Sequence, residues 1–252
     1  MAFRIATWNL DHASRSSRPI SSQLEKIKEI NADVMVLTET CTKVDLSCIG
    51  YEGRASAPNK YGKNYSAIWS KWPMGEVFDT YDAQTATCAM VTGPLGPMVI
   101  YGTILTYRGD RGPDGDSGSW AEHHKEILRQ GEDWLRIQSL AEGIPLIVAG
   151  DFNQSRDGSS WYRSPQGIVL LDDQLARNNL TSLTDEDFGA NVKLQADPKK
   201  GYCRHNIDHV CVTQGRFHVE QVGAWDHFTA GGELSDHNGV FVELVAANRG
   251  AK

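Results

Sequence analysis

Two short apolar runs, Val34-Met35-Val36-Leu37 and Leu146-Ile147-Val148-Ala149, leave no polar position on either side of an extended chain. A strand with that pattern must be covered on both faces. A chain that contains such strands needs a sheet buried between layers. Each run is followed at once by polar residues: Thr38-Glu39-Thr40 after the first, and Gly150-Asp151-Phe152-Asn153 after the second. Near the C-terminus the order is reversed, with Ser235-Asp236-His237-Asn238 leading into Val240-Phe241-Val242. Strand ends are where a rigid sheet holds polar groups in fixed geometry at a pocket floor.

The remaining pattern supplies partners for these strands. Phe3, Ile5 and Thr7 alternate with Arg4 and Ala6, as in a half-buried strand. A polar loop from Asp11 to Ser21 follows. Ser22-Gln23-Leu24-Glu25 reads as a capping box that opens a helix with Leu24, Ile27 and Ile30 on one face, closed by Asn31. Glu39 is placed just beyond the second strand. Tyr65–Trp69, Val77–Tyr81, Thr87–Thr92 and Met98–Leu105 read as short strands separated by turns, which implies antiparallel hairpins. A Gly- and Asp-rich loop, Arg108 to Ser119, has the composition of a flexible lid. A long helix is predicted from Trp120 to Ala141, with Ile127, Leu128, Trp134, Leu135 and Ile137 on its buried side. A short helix over Gly167–Arg177, a long surface loop from Thr184 to His205, and strands over Ile207–Val212, Phe217–Val222 and Gly239–Leu244 complete the chain. Mixed strands with covering helices, and no Pro-rich linker, predict one α/β domain over residues 1–252, with two packed sheets and helices outside.

Bulk composition narrows the class. The chain has 252 residues, is 40% hydrophobic and 23% charged, and carries 32 acids against 25 bases for a net charge of −7. That suits a soluble globular protein and disfavours one that coats nucleic acid nonspecifically, which needs clustered Lys and Arg. Five cysteines occur without a C-x-x-C spacing, so free thiols in a reducing compartment are expected. No leader pattern precedes the first strand, and no apolar run approaches the ~20 residues that span a bilayer. A cytoplasmic protein with no membrane partner and no obligate protein partner is the default.

Asn9 with Asp11, Glu39, Asp151 with Asn153, Asp208, and Asp236 with His237 all fall at or beside predicted strand ends, spread over the whole chain. If those ends meet, they form a site rich in oxygen ligands with one imidazole and no cysteine. That donor set suits a hard cation, Mg2+ or Mn2+. Such an ion partners phosphate oxygens and neutralises developing charge. A carboxylate beside it can align and deprotonate water. Taken singly, Asn9 and Asn153 are also ordinary turn formers, Asp208 is also a strand cap or a partner for Arg204, and Asp11 is either a metal-proximal acid or a loop residue.

Thr7-Trp8-Asn9, Leu37-Thr38-Glu39-Thr40, Gly150-Asp151-Phe152-Asn153, Ile207-Asp208-His209 and Ser235-Asp236-His237-Asn238, in that order, resemble the endonuclease/exonuclease/phosphatase superfamily, of the exonuclease III-like and deoxyribonuclease I-like fold. The resemblance implies a four-layer α/β sandwich, with two mixed, mostly antiparallel sheets face to face. It also implies cleavage of phosphoester bonds with a divalent metal. It assigns Glu39 as principal metal ligand, Asp236 as a second carboxylate near the metal, and Asp11 as a metal-proximal acid. Asn9 would position the metal site and phosphate. Asp151 would activate the attacking water, Asn153 would bind phosphate, and His237 would contact the scissile phosphate with Asp208 on its other ring nitrogen. One departure stands out. Most relatives carry a His or Tyr where this chain has Ile104, and Tyr107, Arg108, His123 or His124 are the nearby substitutes.

The substrate is either nucleic acid or a small phosphorylated molecule. A nucleic acid needs a basic groove, for which Arg15, Arg18, Lys60, Lys63, Lys193, Lys199, Lys200 and Arg204 are the loop candidates, Arg204 nearest the site. Trp120 and Trp161 flank polar loops and are candidates for packing or for stacking on substrate. The alternative to an enzyme is a catalytically silent relative that serves as a binding module.

Overall fold

The computed structural model describes residues 2–12, 20–112, 115, 118–191 and 194–247. The first part of the chain forms β1 (Phe3–Asn9), α1 (Ile20–Ile30), β2 (Val34–Cys41), β3 (Glu52–Ala55), β4 (Lys63–Ser70), β5 (Met74–Phe78), β6 (Ala86–Gly93) and β7 (Gly96–Ile104). Then come α2 (Ala121–Leu140), β8 (Leu146–Asp151), α3 (Pro165–Arg177) and β9 (Leu180–Ser182). The last part holds β10 (Asp208–Thr213), β11 (Phe217–Trp225), the two-residue strands β12 (Phe228–Thr229) and β13 (Gly232–Glu233), and β14 (Gly239–Ala246).

Two six-stranded sheets result, in the orders β11-β14-β1-β2-β4-β3 and β5-β6-β7-β8-β10-β9. Side chains that alternate along each strand sort into three cores. Phe3, Ile5, Val34, Val36, Ile147, Ala149, Val210, Val240 and Val242 fill the space between the sheets. Met35, Leu37, Ala6 and Trp8 point the other way, onto Ile27 and Ile30 of α1. Leu146, Val148 and Tyr101 do the same on the second sheet, against Ile127, Trp134 and Ile137 of α2 and Leu171 and Leu175 of α3. This is a four-layer α/β sandwich. It explains why Val34–Leu37 of β2 and Leu146–Ala149 of β8 are apolar at every position, since each run feeds two cores.

Local chemistry sets the helix ends. Ser22, the expected cap, lies inside α1, and Gln23 is buried and gives its amide to the Leu10 and Leu234 carbonyls. Asn31, at φ 54°, closes it by giving its N–H to Ile27. Ser164 caps α3 through the Gly167 N–H, with Pro165 in the first turn. In α2 the buried stripe runs through His123, Ile127, Gln130, Gly131, Trp134 and Ile137. Leu128 and Leu135, expected inside, are 42% and 37% exposed, because the stripe that meets α3 lies one residue away. At the crossing, a Cβ on Gly131 would sit 2.0 Å from the Gln174 amide oxygen, so the two helices touch backbone to side chain.

β3 and β9 are short edge strands that the sequence pattern missed. The described residues between 184 and 205 carry no strand, as expected, but Phe188 and Leu194 dip into the inter-sheet core. Residues 13–19, 113–114, 116–117 and 192–193 lie outside the described residues, and with them Arg15, Arg18, Lys193 and part of the expected lid. All five cysteines are free. Among the described residues no helix is long and apolar enough to cross a membrane.

Candidate active site

Strand direction gathers the polar clusters on one edge. β1 and β2 are parallel and end at Asn9 and Cys41, and β8 runs parallel to β7 and ends at Asp151. β10 and β14 run the opposite way, so their first residues lie at that edge, with Asp208 directly opposite Asp151. Glu39 lies within β2, not beyond it, but its φ of 47° breaks the pleat. Of the seven described non-glycine residues with positive φ, Asp11, His12, Glu39 and Asn153 are all at this edge. Such backbone costs on the order of 1–3 kcal/mol per residue and persists only where the surroundings impose it. Gly150 precedes Asp151 at φ 147°, where a Cβ would lie 1.8 Å from the Thr103 carbonyl oxygen.

A cleft of about 690 Å³ opens above the edge. Glu39, Asp151, Asn153, Arg204, Asp208, Asp236 and His237 line it, together with Ile104, Tyr107, Trp161 and Tyr162. Asn9 and Asp11 are buried behind it. Asn9 gives its amide to Asp151 Oδ2 at 2.9 Å and accepts the Asp11 N–H at 2.8 Å. Asn153 donates its backbone N–H to Asp151 Oδ1 at 2.7 Å, and its amide to Asp151 Oδ2 at 3.1 Å and to the Leu105 carbonyl at 2.9 Å. Asp151 is thus held by three donors, and both amide hydrogens of Asn153 are in use.

Asp208 Oδ2 lies 2.6 Å from His237 Nδ1. Atoms of Asp151, Asp208 and His237 fall within 4.8 Å of one another, and Glu39 and Asp236 line the same cleft outside that cluster. Burial opposes a charge on His237, but Asp208, Asp151 and Asp236 outweigh it and raise its pKa to about 10. Burial raises Asp151 to about 8; the His237 charge works against that shift, and Asp208 and Glu39 add to it. The protein alone therefore gathers more negative charge here than one imidazolium balances. Asp208 Oδ1 is buried with no hydrogen-bond partner. An oxygen-rich, over-charged pocket of this kind fits a hard divalent cation.

Residues to which the sequence reading gave no role hold the motif in place. Ser235 donates to the Asn9 carbonyl at 2.6 Å and accepts the His237 N–H at 3.0 Å. The Trp8 indole N–H reaches the His237 carbonyl at 2.8 Å. Asn238 bridges the Arg204 carbonyl and His227. His12 lies 3.1 Å from Glu39. Of the candidates for the Ile104 position, His123 is buried and hydrogen-bonded to the Thr106 carbonyl, and His124 is bonded to Ser164. Lys63 lies in β4, not in a loop. Among the described basic candidates only Arg204 lines the cleft.

Comparison with known proteins agrees with this architecture. The 3′–5′ exonuclease NExo from Neisseria meningitidis superposes with a TM-score of 0.70 at 18% identity, over 96% of this chain and 99% of that one. An AP endonuclease from Archaeoglobus fulgidus gives 0.66 at 16% identity, over 95% and 98%. The human Nocturnin catalytic domain gives 0.66 at 19%, over 97% and 94%. At these identities the likeness is one of fold. No curated protein matches the chain in sequence. The sequence model of the Endonuclease/Exonuclease/phosphatase family matches residues 6–237, and the chain belongs to that family.

Proposed function

We propose that residues 1–252 form a single catalytic domain that hydrolyses a phosphoester bond by in-line attack of water, with Mg2+ or Mn2+ as cofactor. The observation that carries this reading is the charged pair His237–Asp208 beside Asp151 on the floor of an acid-lined cleft. Glu39 and Asp236 would hold the cation, with Asp11 behind them. The ion would supply charge neutralisation at the phosphate and leaving oxygen. Asp151, fixed by Asn9 and Asn153, aligns the water and takes its proton. His237, kept protonated by Asp208, donates to the phosphate. Asn153 contacts phosphate only by releasing the Leu105 carbonyl, so its first role is to position Asp151.

The substrate is a nucleic acid or a small phosphorylated molecule, and the cleft favours the second. Its lining includes Asp82 and Asp110, with Glu122 and Glu126 paired to Arg129, which leaves Arg204 as the remaining arginine and an acidic balance that repels a polyanion. Solved relatives include an NExo 3′ phosphatase bound to a product DNA hairpin, which keeps the first version in the test. The decisive experiment measures turnover of bis-p-nitrophenyl phosphate with and without Mn2+, then a panel of abasic duplex, single-stranded DNA, RNA, nucleotides and sugar phosphates. Metal-dependent turnover that Asp151→Asn and His237→Ala abolish is the expected result. Unchanged turnover in those variants sinks the roles of Asp151 and His237, and no turnover by the intact chain favours a silent binding module.

A further inference from the structure

Charge builds on the non-bridging phosphate oxygens as water attacks, and a neutral donor preset at that position stabilises it. The strand next to Asp151 offers none: Ile104 pairs with Asp151 in register and faces the cleft with a hydrocarbon. Tyr162 reaches the same cleft from the loop between β8 and α3. Its hydroxyl oxygen accepts the Arg108 backbone N–H at 3.1 Å, so its own proton is not used in that bond. Asn153 is tied to Leu105, three residues earlier in the same segment. The phenol and the Asp151 clamp are therefore anchored to one stretch of backbone beyond β7. The ring is held edge-on to Trp120 at 5.1 Å and packs on Trp161 at 5.8 Å, and the Tyr162 carbonyl accepts the Ser155 N–H at 2.6 Å.

Other tyrosines along the cleft are placed differently. Tyr81 spends its hydroxyl on Glu126, Tyr107 is 56% exposed on the rim, and Tyr65 lies across the β2–β4 pairing from Glu39. Burial pushes the Tyr162 phenol above its ordinary value; the Arg108 N–H opposes this, and the nearby Asp151 charge adds to it. The phenol stays protonated through neutral pH.

We propose that Tyr162 is a catalytic residue of this chain, donating a hydrogen bond from its hydroxyl to a non-bridging oxygen of the bound phosphoester. The proton stays on the phenol, so no proton balance changes. This rests on the phosphoesterase reading above. It gives the loop after the Asp151 motif a direct part in the chemistry that β7 cannot supply.

The test uses the full chain with Mn2+ and bis-p-nitrophenyl phosphate, with Asp151→Asn and His237→Ala run beside it. Tyr162→Phe keeps the ring and removes the donor. The expected result is a fall in kcat of about 100-fold with KM within about twofold, and a Tm equal to that of the parent. Tyr61→Phe, 74% exposed and outside the cleft lining, keeps full turnover. If Tyr162→Phe retains the parent kcat while Asp151→Asn and His237→Ala lose theirs, the role of Tyr162 is wrong and the phosphoesterase reading stands. If all three variants retain turnover, that reading fails and takes this inference with it. If Tyr162→Phe does not fold, Tyr162→His decides: it keeps a donor, and turnover clearly above that of Asp151→Asn supports the proposal, whereas turnover as low overturns it.

Discussion

Asp208 and His237 meet at 2.6 Å across the sandwich: Asp208 opens β10 in the second sheet, and His237 lies just before β14 in the first. The hydrogen bond joins the two sheets at their shared edge and fixes the imidazole with its other nitrogen, Nε2, toward the cleft. Nearly all of Asp208 is out of water, so its partner cannot be exchanged for solvent. Removing one member of such a pair costs about 3–5 kcal/mol. Asp208→Ala should therefore lower Tm and return the His237 pKa toward the ordinary histidine range. Imidazole NMR titration reads the second effect directly. In a double-mutant cycle with His237→Ala, the two losses in kcat should be far from additive, since each variant removes the same unit.

Without metal, stability should fall as pH rises. The folded protein holds the His237 proton up to about 10 against an ordinary 6.5, so that contribution is complete below 6.5 and is lost as pH approaches 10. Asp151 has the same sign: folding holds its proton to about 8 against 3.8, so its contribution declines between those values. Both groups favour the acid side. Thermal unfolding in chelator from pH 5 to pH 10 should show a falling Tm, at about 2–4 °C for each kcal/mol lost in a chain of this length. Added Mn2+ should raise the alkaline end most, because it replaces the protons that balance the acids. A Tm that rises with pH in chelator contradicts the charge surplus.

The convergence of these residues was legible because strand ends that gather polar groups leave marks at fixed places in the pattern. Apolar runs that give way to Glu39 or Asp151 announce a strand with a polar end, and the parallel and antiparallel directions then put Asp208 and His237 at the same edge. The supports were not legible. Ser235, Asn238 and the Trp8 indole act through backbone carbonyls on distant segments, and nothing in their own sequence neighbourhood names those partners. Leu128 and Leu135 misled for a related reason. They are apolar at helical spacing, but which stripe of α2 is buried is decided by where Gly131 lets α3 approach. Gln23, read as part of a local capping box, instead joins α1 to the Leu10 and Leu234 carbonyls, partners its own neighbourhood does not name.

Gly150 is the residue in its motif with no chemistry and the least freedom. Its φ of 147° suits glycine, and a Cβ would meet the Thr103 backbone at 1.8 Å. The strand pairing of β7 and β8 would have to part at the position that sets Asp151. Gly150→Ala should cost more than a core truncation such as Ile147→Ala, for which about 2–5 kcal/mol is usual. Chemical denaturation of the two variants gives the comparison. Equal or smaller loss in Gly150→Ala means that β7 can move aside.

Trp8 separates packing from positioning. Its ring fills the core between β1 and α1, edge-on to Trp225 at 5.7 Å, while its N–H holds the His237 carbonyl. Trp8→Phe keeps an aromatic ring and removes the donor. A net hydrogen bond is worth about 1 kcal/mol, and the smaller ring adds a cavity term, so the stability loss should be about 2–3 kcal/mol. The effect on turnover should exceed what that loss of folded protein explains, because the backbone carrying Asp236 and His237 loses its tether. Metal titration by calorimetry supplies the check. Trp8→Phe should bind Mn2+ more weakly than the parent at a temperature where both are folded, and Glu39→Gln, which removes a proposed ligand carboxylate outright, should bind it more weakly still. Parent-like Mn2+ affinity and turnover in folded Trp8→Phe would show that Ser235 alone suffices to hold the motif.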